Sequence, residues 1–149
     1  MHAATALASL EQYEANQARR FALVERYCAG LGAIPGIRVQ TVSAGDRSSW
    51  KDFTIAVDHE RFGIDRDRLR AVLSAEGVDT RMYFDPPVHR QHAYRDVPAR
   101  PLPVTDDVAR RVLSLPVYPA LAEEAVDGIV RLIAAAHDKS GLLAQEPLP

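Results

Sequence analysis

The chain has 149 residues, which suffices for one ordinary domain and is too short for two. Hydrophobic residues make up 47% and charged residues 26%, values typical of a globular protein that argue against extensive disorder. The formal net charge of -2 provides no overall field that would attract nucleic acid or an anionic membrane, so neither is expected as a partner.

Cysteine occurs once, at Cys28, so the fold must hold without an internal disulfide, as expected in a reducing compartment. No apolar run approaches the roughly 20 residues of a membrane-spanning helix. Residues 1–5 lack the basic start of a signal peptide. These features together predict a cytoplasmic protein.

Apolar residues at three- and four-residue spacing predict one long helix over 4–31. Its middle, residues 14–20, is polar, which indicates that the helix spans two packing environments. The remaining predicted elements, in chain order, are strands over 37–42 and 52–57, a helix over 65–76, a strand over 78–84, a rigid extended segment over 85–87, a short helix over 105–112, a buried strand over 113–115 and a last helix over 122–138.

This order of elements predicts an α+β fold, in which a small antiparallel or mixed sheet has helices packed on one face and is preceded by a long helix. Residues 1–32 are assigned to the long helix and residues 33–139 to the α+β domain that follows it. Residues 140–149 are predicted to be a flexible tail.

Several motifs that could carry chemistry are weakly supported. His89 and His92 could share one helical turn, but a zinc site needs three or four ligands and no third is indicated. Ser48 and Lys51 have the spacing of a serine–lysine nucleophile pair without its companion motifs. Cys28 lies on an apolar stripe, which favours a buried residue over a nucleophile. No catalytic, cofactor-binding or metal-binding residue is therefore assigned.

The chain around the double proline has several polar and aromatic side chains close together in sequence. A strand would deliver Arg81 and Tyr83 on one face, and the rigid proline pair would then present His89, Gln91 and Tyr94. These side chains suit phosphates and sugar hydroxyls, and rigid support would hold them in place. From residue types alone, a binding loop and a surface loop whose polar groups only satisfy the backbone are equally supported.

The same segments carry a family resemblance that covers nearly the whole chain in order. They are residues 3–10 (AATALASL), 50–55 (WKDFTI), 62–69 (FGIDRDRL), 77–81 (GVDTR), 83–91 (YFDPPVHRQ), 112–119 (VLSLPVYP) and 126–129 (VDGI). The ordered set resembles the small C-terminal domain of the DegT/StrS-type sugar aminotransferases, which use pyridoxal phosphate (PLP).

The resemblance implies a fold-type-I transaminase, usually homodimeric, that transfers an amino group to a keto-sugar carried by a nucleotide. In this family the Schiff-base lysine and the other cofactor-binding residues lie in a large N-terminal domain, which has no counterpart here. Neither Lys51 nor Lys139 has the position of the family lysine. PLP is therefore implied for the full-length family and is not expected to bind this chain alone.

His89 matches the family's histidine after the proline pair and is the first substrate-binding candidate, with Arg81, Tyr83, Gln91 and Tyr94 as its neighbours. The chain is thus expected to be inactive alone, with a homodimer mate or a missing PLP-binding domain as its partner. The interrupted first helix is expected to pack partly against that domain. Two alternatives stay open: a non-enzymatic dimerisation or ligand-binding module derived from the domain, and an unrelated small α+β binding protein.

Overall fold

The computed structural model describes residues 2–98 and 100–145. The elements in this part of the chain are, in order, α1 (His2–Glu11), α2 (Tyr13–Leu31), β1 (Ile37–Val39), β2 (Phe53–Val57), α3 (His59–Phe62), α4 (Arg66–Ala75), 3₁₀ turns at Val88–Arg90 and His92–Tyr94, α5 (Pro103–Arg111), β3 (Val112–Leu115), α6 (Glu123–Asp138) and α7 (Ser140–Leu143). The predicted α+β class is confirmed. None of these helices is both long enough and apolar enough to cross a membrane.

The strands form one antiparallel sheet in the order β1-β2-β3. Along β2 the side chains of Phe53, Ile55 and Val57 are buried, because alternate residues of a strand point to opposite faces. On the opposite face, the hydroxyls of Thr54 and Ser114 lie 2.7 Å apart across the β2–β3 pair. The sheet therefore has one face in the core and one face of smaller, more polar side chains.

Helices α2 and α6 cover the core face side by side. In α6 the buried residues Val126, Ile129 and Ile133 recur at helical spacing, which gives that helix one apolar face. From α2, Tyr27 stacks on Phe53 of the sheet with ring centroids 5.0 Å apart. The core thus consists of one sheet face and the apolar stripes of these helices, joined by α4.

The two helices run in the same direction. Arg26 of α2 pairs with Asp127 of α6, with Nε 2.6 Å from Oδ1. One turn further along both helices, a Cβ on Gly30 would lie only 2.6 Å from Val130 Cγ1. The helices approach closely because residue 30 has no side chain.

Several predicted elements are wrong in detail. The single long helix is divided at Gln12 into α1 and α2, and the strand over 37–42 ends at Val39. The strand over 78–84 is not formed: one isolated bridge between Arg81 and Ser114 takes its place. The chain turns away at once, since the Asp85 N–H donates to the Met82 carbonyl, and two prolines follow that can donate no ladder hydrogen bond.

The segment predicted to be extended, 85–87, instead begins within a turn and bend over 83–86. Helix α3 was not predicted, whereas the helix over 65–76 is confirmed as α4. It is capped by Asp65, whose Oδ1 accepts a hydrogen bond from Arg68 N at 2.8 Å. Within the segment assigned as a tail, α7 forms and Leu143 packs against the core, while residues 146–149 lie outside the described part.

Candidate functional site

The turn after residue 82 and helix α5 form the two walls of an open groove of about 630 Å³. We refer to it as the loop groove. Its lining is mainly apolar and includes Tyr83, Phe84, Tyr94, Val97, Leu102 and Val104. Phe84 is 61% exposed and Val104 is 75% exposed. Exposed apolar side chains gathered in one concavity are typical of a binding site or an interface rather than of ordinary surface.

His89 is the one titratable imidazole of the loop groove, and it is held by a carboxylate from α5. Its Nε2 lies 3.0 Å from Asp106 Oδ1. Arg90 binds both oxygens of the same carboxylate, with Nε 2.6 Å from Oδ1 and Nη2 2.6 Å from Oδ2. This two-pronged, charge-assisted contact fixes the orientation of Asp106.

The electrostatics of this cluster favour an ionised carboxylate. The hydrogen bond from Arg90 holds the pKa of Asp106 below its ordinary value, and the nearby His89 acts in the same direction against the opposing effect of burial. Asp106 therefore presents only acceptor oxygens to its neighbours.

A buried arginine of α4 ties the groove to the core. Arg66 Nη2 lies 2.5 Å from Asp85 Oδ2, and Nη1 donates to the carbonyls of Ala109 and Val112, each at 3.1 Å. The Arg66 side chain is 1% exposed. Burial of a charge is costly unless it is paired, and the pairing comes from Asp85 together with Asp67, whose Oδ1 lies 2.8 Å from Arg66 Nε. One side chain therefore holds both the start of the turn and the end of α5.

The loop groove contains three of the five predicted substrate-binding residues: Tyr83, His89 and Tyr94 all line it. Arg81 does not. It pairs with Asp79 at 2.8 Å and lies in a neighbouring depression that Tyr83 also borders.

Gln91 also lies outside the loop groove. Its Nε2 donates to the Pro86 carbonyl at 3.3 Å, so this side chain braces the turn. The two predicted residues that are not in the groove thus lie next to its wall.

Sequence reasoning missed the α5 wall of the groove. Val104 and Val108 have the four-residue spacing of one helix face, and this pattern could have suggested an apolar surface there. Asp106 gave no such signal, because its role depends on a contact with His89 across 17 positions of the chain.

The weaker candidate sites are separated in the structure. His92 bonds to Arg95, and the described residues contain no group of three or more His, Cys, Asp or Glu side chains placed to hold a metal ion. Lys51 Nζ lies 3.1 Å from Asp52 rather than against Ser48. Burial raises the pKa of the half-buried Cys28 thiol, which disfavours the nucleophilic thiolate.

Comparison with protein families gives a match over most of the chain. The sequence model described as the DegT/DnrJ/EryC1/StrS aminotransferase family matches residues 1–134.

Solved structures show the same relationship. The chain is similar to DesI, determined in the presence of its TDP-sugar product, with a TM-score of 0.87, 31% identity, and coverage of 93% of this chain and 36% of DesI. It is similar to a DegT DnrJ EryC1 StrS aminotransferase from Brucella abortus, with a TM-score of 0.76, 33% identity, and coverage of 88% and 34%. For S. venezuelae DesV in complex with a ketimine intermediate the values are 0.82, 30%, 91% and 36%. The chain therefore spans about a third of the length of each of these proteins.

Proposed function

The chain belongs to the DegT/DnrJ/EryC1/StrS aminotransferase family, and from this premise we propose that it is the C-terminal small domain of a PLP-dependent enzyme that aminates a nucleotide-linked keto-sugar. The proposal is supported by the match over residues 1–134 and by the third of each relative that the chain spans. In this proposal residues 1–32 connect to the rest of such an enzyme, and residues 33–139 form the small domain.

The described residues do not fit PLP on their own. The cofactor needs a lysine in a site that excludes water and holds its phosphate. Lys51 is 81% exposed at its side chain and pairs with Asp52, and Lys139 is exposed at the end of α6. The cofactor and the electron sink it provides are therefore assigned to polypeptide outside this chain, and no chemical step is assigned to these lysines.

The loop groove is the proposed substrate-side contribution of this chain. The single observation that carries the assignment is the His89–Asp106 pair, set among the aromatic rings of Tyr83 and Tyr94 in an open concavity. Rings provide flat apolar contact for a sugar, while a few fixed polar atoms determine its orientation. Arg81 and Gln91 would act from the margin of the groove.

Helix α1 is the proposed contact with the missing polypeptide. Leu7 is 64% exposed and Leu10 is 67% exposed, and α1 is joined mainly to α2. Apolar side chains on a helix that leaves the core are expected where another domain or a second copy of the chain covers them. A homodimer mate or a separate PLP-binding polypeptide would both meet this requirement.

Two titrations test the proposal. Adding PLP to the purified chain, followed by borohydride reduction and mass spectrometry, should give no stoichiometric adduct at Lys51 or Lys139. Calorimetric titration with TDP-glucose should then show binding that His89→Ala weakens. The control is His92→Ala, which removes an exposed histidine that bonds to Arg95 outside the groove lining.

The outcomes separate the candidates. A reducible adduct mapped to either lysine would contradict the assignment of the cofactor to another polypeptide. Equal weakening by the two histidine variants would remove the loop groove from the site. Tight, saturable TDP-glucose binding by the chain, with no aminotransferase activity on mixing with a PLP-binding polypeptide of the family, would favour the non-enzymatic module.

A further inference from the structure

The cluster Arg90–Asp106–His89 forms a chain of contacts that ends at the wall of the loop groove. We propose that Asp106, held by Arg90, fixes the His89 proton on Nε2, so that Nδ1 offers a hydrogen-bond acceptor to a hydroxyl of the bound ligand. Asp106 is thereby a positioning residue. The ligand part of this inference rests on the proposed function, whereas the proton assignment does not.

The proton assignment follows from the contact itself. An ionised carboxylate can only accept hydrogen bonds, and its pKa is held low by Arg90. The atom 3.0 Å from Asp106 Oδ1 is His89 Nε2, which must therefore be the donor. In a neutral imidazole the other nitrogen then carries the lone pair. No hydrogen bond to His89 Nδ1 is formed within the part of the chain that the structure describes.

Arg90 determines what kind of ligand this nitrogen suits. A carboxylate alone beside an imidazole would favour the charged ring, which binds anions. Here both oxygens of Asp106 are engaged by the Arg90 guanidinium, whose positive charge offsets that of the carboxylate. The Arg90–Asp106 pair therefore carries little net charge, and with its proton on Nε2 the neutral form of the ring can accept a hydrogen bond from a ligand hydroxyl at Nδ1.

The remainder of the groove agrees with an uncharged ligand group. Apart from His89, the polar side chains among the described lining residues are the hydroxyls of Tyr83, Tyr94 and Thr105, and none carries a permanent charge. A phosphate in the groove would have no fixed positive charge to pair with, and burying an unpaired charge is costly. The geometry favours the sugar ring in the loop groove, with the diphosphate outside it.

The proton assignment is tested directly by NMR. Long-range ¹H–¹⁵N spectra of the ¹⁵N-labelled chain at neutral pH should show the His89 proton on Nε2. Asp106→Ala should relax this preference toward an ordinary mixture. Asp107→Ala should leave it unchanged, because Asp107 pairs with Arg111 on the same helix. A proton on Nδ1 in the unsubstituted chain would overturn the assignment, whether or not the variants fold. An unchanged His89 spectrum in Asp106→Ala would also overturn it.

The ligand assignment is tested separately with TDP-glucose and TDP. TDP-glucose should shift the His89 Nδ1 resonance, whereas TDP alone should not, and Asp106→Ala should weaken TDP-glucose binding by about three- to tenfold. A shift of equal size with TDP would overturn the assignment of a hydroxyl partner. The absence of binding by either compound would overturn the groove as a ligand site, and with it the proposed function, while the proton assignment would stand or fall on its own spectra.

Discussion

Arg66 of α4 and Asp85 of the turn form an ion pair whose guanidinium is buried and whose carboxylate is partly exposed, with Nη2 2.5 Å from Oδ2. The same guanidinium reaches the α5–β3 junction through the carbonyls of Ala109 and Val112. Both walls of the loop groove are therefore attached to one side chain of the core. The shape of the groove depends on α4, which does not itself line it.

Removing this guanidinium should destabilise the domain. Arg66→Met leaves the partly exposed Asp85 carboxylate and two carbonyls without their donor, and loss of such a donor typically lowers the free energy of unfolding by about 1–3 kcal/mol. Urea denaturation measures the change. Arg70→Met, at an exposed position of the same helix, is the matched control and should stay within about 0.5 kcal/mol. Equal effects of the two substitutions would contradict a structural role for the pair.

The glycine before β1 should tolerate no side chain. Gly36 has φ +79°, and a Cβ there would lie 2.4 Å from the backbone nitrogen of Phe62. Gly77 has nearly the same backbone, φ +76°, with open space around it. Gly77→Ala should therefore cost only the left-handed strain, about 1–2 kcal/mol, and Gly36→Ala about 1–3 kcal/mol more from overpacking. Comparable urea midpoints for the two variants would show that the contact with α3 relaxes freely.

Stability should fall in acid because of Asp127. Its hydrogen bond from Arg26 lowers the pKa of Asp127 in the folded chain, against the smaller effect of burial. A carboxyl whose folded-state pKa lies below its unfolded value of about 3.9 stabilises the fold above that pH and loses the contribution as pH falls through the lower, folded value. Urea midpoints should therefore drop less steeply below about pH 4 in Asp127→Asn than in the unsubstituted chain. Asp46→Asn, in the exposed loop after β1, is the control and should keep the original slope.

The apolar surface of α1 should make the isolated chain associate. Replacing Leu7 and Leu10 together by Gln should reduce both hydrophobic-dye fluorescence and the mass observed in analytical ultracentrifugation. The free energy of unfolding should change by no more than about 0.5 kcal/mol per residue, since both side chains are exposed. Glu11→Gln on the same helix serves as the control. A strictly monomeric, dye-free chain before substitution would contradict a covered α1 surface.

Sequence patterns predicted the parts of this fold that depend on neighbours along the chain. The alternation of Phe53, Ile55 and Val57 gave β2, and the capping side chain of Asp65 gave the start of α4. The strand over 78–84 failed, because strand formation requires a partner: β3 ends at Leu115, and only Ser114 meets Arg81.

The candidate site was predicted in part for the same reason. The double proline and the residue types around it indicated a possible binding loop, and the family resemblance singled out His89 within it. The partner that orients it, Asp106, comes from a different helix, and the residue that anchors the turn, Arg66, comes from another. Contacts of this kind are determined by packing of the whole core, so they cannot be predicted from periodicity along the chain.

The side-by-side packing of α2 and α6 has a consequence for the order in which the domain can assemble. Arg26 and Asp127 are 101 positions apart in sequence. Closing so long a loop has an entropic cost, which is offset only when the contacts between the two helices form. A nascent chain that has emerged as far as β3 has a sheet and α2 but no α6 to cover the apolar sides of Tyr27 and Leu31. The core can therefore be completed only after α6 has been synthesised. Until then the growing chain exposes apolar surface that can aggregate with other proteins in the cell.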